Sequence, residues 1–260
     1  MLYGLFAASD RPNRPFIATV ESYFATSRTG QNNTSTPTFT ISVNFLRRNV
    51  SGQLALVQCV TLSELKTDNF SSFASGPNES VFCAISGSTN IHWMYRAPSA
   101  TNAPFANASK TYRFHTSVLY ICGLQSVGEQ RLVASFADKS VRVFRAVDGA
   151  LSEMQRIRSP ATIWTPATLV GLSNYGVCIK SNFKDTTNST IKRGLELCTV
   201  DANGMLSSPR RLAIFSNPLH IWCHVIAKDS SDSGIIVAEY DKHGSNGSTI
   251  ALRVFLFKEN

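Results

Sequence analysis

The chain has 260 residues, of which 43% are hydrophobic and 16% are charged, and its formal net charge is +8. This composition is typical of a globular protein and excludes a disordered chain. No stretch approaches the roughly 18 consecutive apolar residues that a membrane-spanning helix needs, so we expect no membrane span.

The first predicted element is a strand from Leu2 to Ala8, and a strand of a second kind then recurs along the chain. This second strand is apolar with a small residue inside it, and it returns at intervals of roughly 45 to 65 residues, which indicates a repeat architecture. Its five copies lie at residues 16–20, 81–85, 132–136, 176–179 and 235–238. Each copy is followed by another strand, in which polar and apolar residues alternate, at residues 41–47, 91–96, 141–145, 195–200 and 252–258. Each of these alternating strands except 195–200 ends in a basic residue.

The third copy shows a complete four-strand unit. Its predicted strands lie at residues 118–124, 132–136, 141–145 and 150–157. Asp148-Gly149 separates the last two, and Asp-Gly between alternating runs is a strong hairpin signal. Similar turns at 201–204 and 51–52 precede predicted fourth strands that begin at Met205 and Gln53. First strands of the fourth and fifth units are predicted at 163–172 and 220–226.

Four-stranded units of this kind predict an all-β fold. Each unit must stack against its neighbours to bury an apolar face, as the blades of a β-propeller do. The second strand of each unit would be covered by a neighbouring sheet on both faces. Such a strand favours Ala or Cys, because small side chains allow the neighbouring sheets to pack close to it. We therefore predict a single propeller domain over residues 1–260. It has about five blades, approximately at 1–62, 63–115, 116–158, 159–216 and 217–260.

The segment from Leu132 to Arg145 resembles the central hairpin of a WD40 repeat. In that family a small-residue strand, a polar turn and a strand of the type Val-Arg-Val-Trp-Asp follow one another. Phe144 and Arg145 stand where the family has Trp-Asp, and the Gly-His signature that opens each repeat is missing. The family's Asp-His-Ser-Trp network is therefore not carried over to this chain. The resemblance implies a rigid platform for protein partners, and in some cases for RNA.

The fifth unit is predicted to lack its outer strand. Three explanations remain open: the last blade is incomplete, the chain is a segment of a larger propeller, or a partner supplies the strand. An unpaired edge along Leu252–Phe257 would invite pairing with another chain.

Cysteines and sequons give opposite indications of compartment. The six cysteines lie in apolar segments without metal-ligand or CxxC spacing, which favours a reducing compartment, although an even count also permits three disulfides. Glycosylation triplets open at Asn32 and Asn33, and six further sites apply if the protein is secreted: Asn49, Asn69, Asn78, Asn107, Asn188 and Asn246. We expect a cytoplasmic or nuclear protein, with a secretory or extracellular location as the alternative.

Basic and aromatic side chains are the candidate partner-binding residues. A surface that binds protein or RNA would use basic side chains together with aromatic side chains. The proposed contacts are Arg47, Arg48, Arg96, Arg113, Arg156, Arg158, Trp164, Arg210 and Arg211. Trp93, Tyr95, Tyr112 and Phe114 are further aromatic candidates, which fit an inter-blade core equally well.

No pattern in the chain predicts catalysis or a cofactor. Phosphate-binding loops and the GxSxG elbow are missing, and carboxylates are scattered. His220 and His224 have metal-ligand spacing without an accompanying glutamate, and Ser230–Gly234 matches only the opening of a sialidase Asp box. The sequence therefore predicts a non-catalytic scaffold within a multi-subunit assembly. The alternatives are a secreted or surface propeller that binds a ligand or receptor, and an RNA-associated propeller.

Overall fold

The computed structural model is built from β-strands throughout its described part. The described residues are 2–8, 16–27, 36–48, 51, 53–65, 71–77, 80–85, 87–95, 108–126, 129–158, 164–172, 176–184, 191–215, 222–228, 233–241 and 250–258. Within these ranges no residue is helical.

In the described residues, nineteen strands form five antiparallel sheets, and each sheet takes strands that are consecutive in sequence. Sheet 1 contains β1 (Leu2–Ala8), β2 (Phe16–Ser27), β3 (Thr36–Arg48) and β4 (Leu54–Leu65). Sheet 2 contains β5 (Ser71–Gly76), β6 (Ser80–Ile85), β7 (Asn90–Tyr95) and β8 (Ala108–Arg113). Sheet 3 contains β9 (Val118–Ser126), β10 (Glu129–Phe136), β11 (Ser140–Val147) and β12 (Ala150–Arg158). Sheet 4 contains β13 (Trp164–Gly171), β14 (Gly176–Lys184), β15 (Ile191–Thr199) and β16 (Arg210–Phe215). Sheet 5 contains β17 (Trp222–Lys228), β18 (Ser233–Asp241) and β19 (Ile250–Lys258).

The five predicted small-residue strands are confirmed as β2, β6, β10, β14 and β18, and the strands predicted to follow them are confirmed as β3, β7, β11, β15 and β19. The Asp148-Gly149 turn is also confirmed. Both residues have positive φ values, 47° and 74°, as the favoured two-residue hairpin turn requires. Glycine is needed at the second position for another reason too, because a Cβ there would lie 2.6 Å from the hydroxyl of Tyr95.

The predicted start of the fourth strand of sheet 4 is wrong. That strand begins at Arg210 instead of Met205, and only an isolated bridge joins Val200 to Leu206 ahead of it. Asp201 closes a compact turn, because its carboxylate accepts hydrogen bonds from the backbone N–H groups of Asn203 and Met205 at 2.9 and 2.8 Å. Pro209, which has no N–H to donate, stands immediately before the strand.

Sheet 3 is buried on both faces, and this explains its small-residue strand. Along β10, Leu132, Ala134 and Phe136 belong to a core shared with sheet 2, whereas Val133 belongs to a core shared with sheet 4. These four residues and Ser135 are all fully enclosed. The prediction that this strand is sandwiched between neighbouring sheets is therefore confirmed.

Neighbouring sheets contact one another through their first strands. Contacts join β1 to β5, β5 to β9, β9 to β13 and β13 to β17. Strands β9 and β13 approach closely, because a Cβ added to Gly171 would sit 2.0 Å from the carbonyl oxygen of Gly123. Between sheets 2 and 3, the backbone N–H of Ile121 donates to the Ser72 hydroxyl at 3.0 Å.

Each sheet has two ends, which we name by the turns they carry. The upper end is where the second and third strands join, as at residues 137–139 in sheet 3, and the lower end is where the third and fourth strands join, as at Asp148-Gly149. Sheets 2 and 3 share one orientation, because Val118 and Ser88, both at upper ends, are linked by a backbone hydrogen bond of 2.7 Å. Sheets 3 and 4 do as well, because Arg131 donates to the carbonyl of Gly204 at their lower ends.

Candidate interaction surface

The structure separates the predicted partner-binding residues between two ends of the sheets. Strand direction and register place one group at or near the upper ends: Arg113, Arg156, Arg158 and Trp164. The same criteria place a second group at the lower ends: Arg47, Arg48, Arg210 and Arg211. Arg96 lies outside the described residues. The upper-end and lower-end residues lie at opposite ends of the strands, so one partner surface that covers a single end contacts only one of the two groups.

A charged network occupies the upper end of sheet 3. Arg142 lies at its centre and donates from Nε to the Ser140 hydroxyl at 3.0 Å. Its terminal nitrogens reach Asp138 at 2.7 Å and Glu153 at 3.5 Å. Ser140 in turn donates its hydroxyl to Asp138 at 2.5 Å. We call Asp138, Ser140, Arg142, Glu153, Arg156 and Arg158 the upper-end network.

The position of Arg142 follows from strand alternation. On β11, Val141 and Val143 face the core shared with sheet 4, so Arg142 faces sheet 2 together with Phe144. The guanidinium carbon lies 4.1 Å from the centre of the Phe136 ring, a cation–π geometry. Its side chain is only 8% exposed. A charge this enclosed must be paired, and the two carboxylates supply the pairing.

The two carboxylates of the upper-end network are held in the ionised form. Burial by itself would raise the pKa of Asp138, but hydrogen bonds from Ser140 and Arg142 and the charge of Arg142 outweigh it and lower the pKa below its ordinary value. Hydrogen bonding by Arg156 is the main cause of the lowered pKa of Glu153, against a smaller opposing effect of burial. The same pairing raises the pKa of Arg156. Asp138 and Glu153 are therefore ionised at neutral pH.

Arg158 is the most outward member of this network. Its side chain is 60% exposed and lies 3.8 Å from Asp138, whereas Arg156 makes two hydrogen bonds to Glu153 at 2.8 and 2.9 Å. Three arginines against two carboxylates leave one positive charge in excess. Lys139 and Arg113 are also exposed at the upper ends of sheets 3 and 2. The arrangement presents positive charge on a rigid base, which suits a negatively charged partner.

A different kind of contact joins sheets 3 and 4. The side-chain amide of Gln155 donates to the carbonyl of Leu206 at 2.7 Å and accepts from its N–H at 2.8 Å. Arg131 donates to the Gly204 carbonyl of the same segment. Arg210 and Arg211 are exposed beyond it, and Arg211 lies 4.0 Å from Glu196. These hydrogen bonds join sheets 3 and 4. The lower end, where Arg131 meets Gly204, therefore carries packing contacts as well as basic residues.

Trp93 is not an exposed aromatic group, which corrects one candidate for stacking. It is 2% exposed and packs in the core between sheets 2 and 3, with its ring centre 5.2 Å from that of Phe82. Tyr95, Tyr112 and Phe114 are partly buried against the same core. The side chain of Trp164 is not among those described. Inter-sheet packing therefore accounts for these four aromatic residues.

Histidine and cysteine side chains in the described part show structural roles. Nδ1 of His92 lies 3.0 Å from the Thr111 hydroxyl, and burial lowers the pKa of this histidine. Cys83, Cys122, Cys178 and Cys198 are buried and form no disulfide, and burial raises the pKa of Cys198 to about 12. No group of three or more metal-ligating side chains occurs among the described residues. His220 lies outside the described residues, and of His224 only the strand position in β17 is described.

All of the sequon asparagines lie outside the described residues: Asn32, Asn33, Asn49, Asn69, Asn78, Asn107, Asn188 and Asn246. Residues 230–232 of the Asp-box match also lie outside them. In the described part of the chain no helix is long and apolar enough to cross a membrane.

Sequence reasoning missed the central members of the upper-end network. Arg142 was treated as one residue of an alternating strand, and Asp138 as part of a polar turn. A usable signal was present, because Arg142 is a charged residue between two valines in a strand predicted to be enclosed.

Comparison with protein-family models finds no match, and neither does comparison with curated protein sequences.

Proposed function

We propose that the chain is a non-catalytic β-propeller scaffold whose upper ends in sheets 2 and 3 bind a protein partner. The propeller is supported by five consecutive antiparallel sheets, by contacts between successive first strands, and by a sheet 3 that is buried on both faces. WD40-like propellers use such a rigid stack of sheets as a platform, and this analogy concerns fold alone.

The upper-end network is the observation that carries the binding proposal. Arg142 is enclosed and paired on three sides, so it fixes Asp138 and Glu153 in place. Arg156 and Arg158 extend from this base toward solvent with donors that their carboxylates do not use. Preorganised arginines of this kind are favoured at interfaces, because little side-chain freedom is lost when they bind.

Charge reversal at one end, with a matched change at the other, tests this proposal. Arg158→Glu changes an exposed, loosely paired residue at the upper end, and Arg210→Glu changes an exposed residue at the lower end. Quantitative affinity purification from cells that contain the protein should show partners lost with Arg158→Glu and retained with Arg210→Glu. Loss with Arg210→Glu alone, or with neither variant, would contradict the proposal.

RNA is the competing partner, because the chain carries a net charge of +8. Treatment with ribonuclease before purification separates the two possibilities. A protein partner that binds through the upper end survives this treatment, whereas association through RNA is lost and weakens steeply as salt is raised.

We place this scaffold in the cytoplasm or nucleus. Four free, buried cysteines support a reducing compartment. A mass decrease of the native protein on glycosidase treatment would instead support the secreted alternative, in which the sequon asparagines carry glycans.

A further inference from the structure

Strand β19 has an unusual position in the described structure. It is the third strand of sheet 5 and pairs with β18 over nine residue pairs, from Ser233–Lys258 to Asp241–Ile250. The corresponding third strands β3, β7, β11 and β15 pair on both sides. In the described part of the chain, no strand pairs with the other edge of β19.

The register of β19 is that of an internal strand. The outermost strand pairs of sheets 1, 3 and 4 each contain a register shift, whereas the pairs between second and third strands contain none in any four-stranded sheet. The β18–β19 pair is also free of shifts. A regular ladder presents evenly placed N–H and C=O groups on its free edge.

The composition of β19 points the same way. Seven of its nine residues are apolar, and alternation places apolar residues on both faces of the strand. The outermost strand β12, in contrast, carries Glu153, Arg156 and Arg158. Exposed edge strands are normally protected by charges, proline or bulges. Strand β19 has neither a proline nor a bulge, and its two charged residues, Arg253 and Lys258, are both basic.

We propose that the edge of β19 that has no partner strand in the described part of the chain is an acceptor for an extended, acidic segment of another polypeptide, which pairs as the fourth strand of sheet 5. Backbone hydrogen bonds to the regular edge would supply much of the affinity, and alternate side chains would supply specificity. This edge is a second surface, separate from the upper-end network.

Charge identifies the chemistry of the added strand. Arg253 lies within β19 and Lys258 ends it, so acidic residues opposite them complement the acceptor. Sheet 4 contains an equivalent pair, because Glu196 of its third strand is the register partner of Arg211 in its fourth strand. The net charge of +8 also attracts an acidic segment, and it opposes the pairing of β19 with a second copy of the chain.

Binding of synthetic peptides to the full chain tests this inference. The probe is a fluorescently labelled nonapeptide of alternating valine and threonine with a central glutamate, and its control carries lysine instead. Two further peptides carry N-methyl groups on alternate residues. One is methylated at the odd-numbered positions and the other at the even-numbered positions, so that each blocks the N–H groups of one edge. Neighbouring residues of an antiparallel strand direct their N–H groups to opposite edges, so only one of these two methylation patterns should abolish binding.

We expect saturable binding of the glutamate peptide and weaker binding of the lysine peptide. Arg253→Glu should weaken the glutamate peptide by about fivefold and should favour the lysine peptide. Arg145→Glu, a charge reversal at an exposed residue of sheet 3, is the matched control and should leave peptide affinity unchanged.

Three results would overturn the proposal. The first is no saturable binding up to about 1 mM peptide, which lies at the weak limit of specific recognition. The second is equal binding of both N-methylated peptides, because strand addition requires one edge. The third is concentration-dependent self-association in sedimentation that the peptide reverses, which would make a second copy the occupant.

Discussion

Arg142 and Arg145 lie three residues apart on β11 and show how burial changes the value of an ion pair. Both contact a carboxylate at close range, Arg142 to Asp138 at 2.7 Å and Arg145 to Glu129 at 2.6 Å. Arg142 is enclosed, whereas the side chain of Arg145 is 51% exposed. Exposed pairs are screened by water, so their contribution to folding is small.

Replacement of each arginine by methionine should separate these two situations. Arg142→Met leaves two carboxylates without their shared cation and should lower the free energy of unfolding by about 2 kcal/mol, since partners of enclosed charges are costly to remove. Arg145→Met should cost less than about 1 kcal/mol. Urea denaturation measures both values, and equal losses would show that Arg142 gains nothing from its enclosure.

The lowered pKa values of Asp138 and Glu153 predict a dependence of stability on acid. Because the unfolded chain takes up protons at higher pH than the folded chain, the ionised carboxylates stabilise the fold above their unfolded pKa values of about 4. That contribution is lost as the pH falls through the lower folded values. Stability should therefore decline from about pH 5 toward pH 3.

Asp138→Asn provides the control for this acid dependence. Asparagine keeps an oxygen that can accept from the Ser140 N–H, but it has no carboxyl group to titrate. Urea midpoints at neutral and acidic pH should fall less steeply for this variant than for the unchanged protein. Parallel curves would indicate that other carboxyl groups cause the acid dependence.

Between elements, the side chain of one glutamine helps to join sheets 3 and 4. Gln155 of β12 satisfies both backbone groups of Leu206, which is 4% exposed and lies ahead of β16. A side-chain amide imitates a backbone group here, so the segment before β16 is held without a continuous ladder. This contact explains how the irregular residues 201–209 remain attached to the neighbouring sheet.

Gln155→Leu should therefore detach that segment. Two buried backbone groups lose their partners, and we expect a loss of about 2 kcal/mol in the free energy of unfolding. Hydrogen exchange at the Leu206 amide should accelerate as well. Met154→Leu, a change at the exposed neighbouring residue, should alter neither quantity, and an unchanged Leu206 amide in Gln155→Leu would contradict the role of this contact.

At the scale of the whole molecule, successive first strands link the sheets into a series. When each unit contacts only its neighbours, stability is approximately the sum of unit and interface terms. The contact between β9 and β13 is a tight link, because Gly171 has no room for a side chain beside Gly123.

Gly171→Ala tests this link. The added methyl group would meet the Gly123 carbonyl, so β9 and β13 must move apart, and overpacking of this kind costs roughly 1–3 kcal/mol or more. We expect a lower melting temperature and a broader calorimetric transition as sheets 3 and 4 uncouple. Ser152→Thr adds a methyl group at an exposed site of β12 and should change neither, and equal melting curves for both variants would contradict the link.

The sequence predicted the features that depend on near neighbours. The alternation of Val141 to Arg145, the Asp148-Gly149 turn and the small-residue strands are local signals, and each is confirmed. Met205 was wrongly placed at the start of a strand, because the hydrogen bonds of Asp201 and the contact of Leu206 with Gln155 decide that segment. One of these contacts spans 51 residues, so no local pattern reveals it.

By itself, the sequence determined an all-β chain of repeated strand units, because hydrophobic period and turn chemistry act over a few residues. Tertiary structure alone decided which charges meet. Arg142, Asp138 and Glu153 converge through strand register, and the packing of sheet 2 against Phe136 and Phe144 encloses Arg142. The same packing placed Trp93 in the core and left Arg158 outside. Burial depends on what the neighbouring sheet supplies, and a strand's own residues do not contain that information.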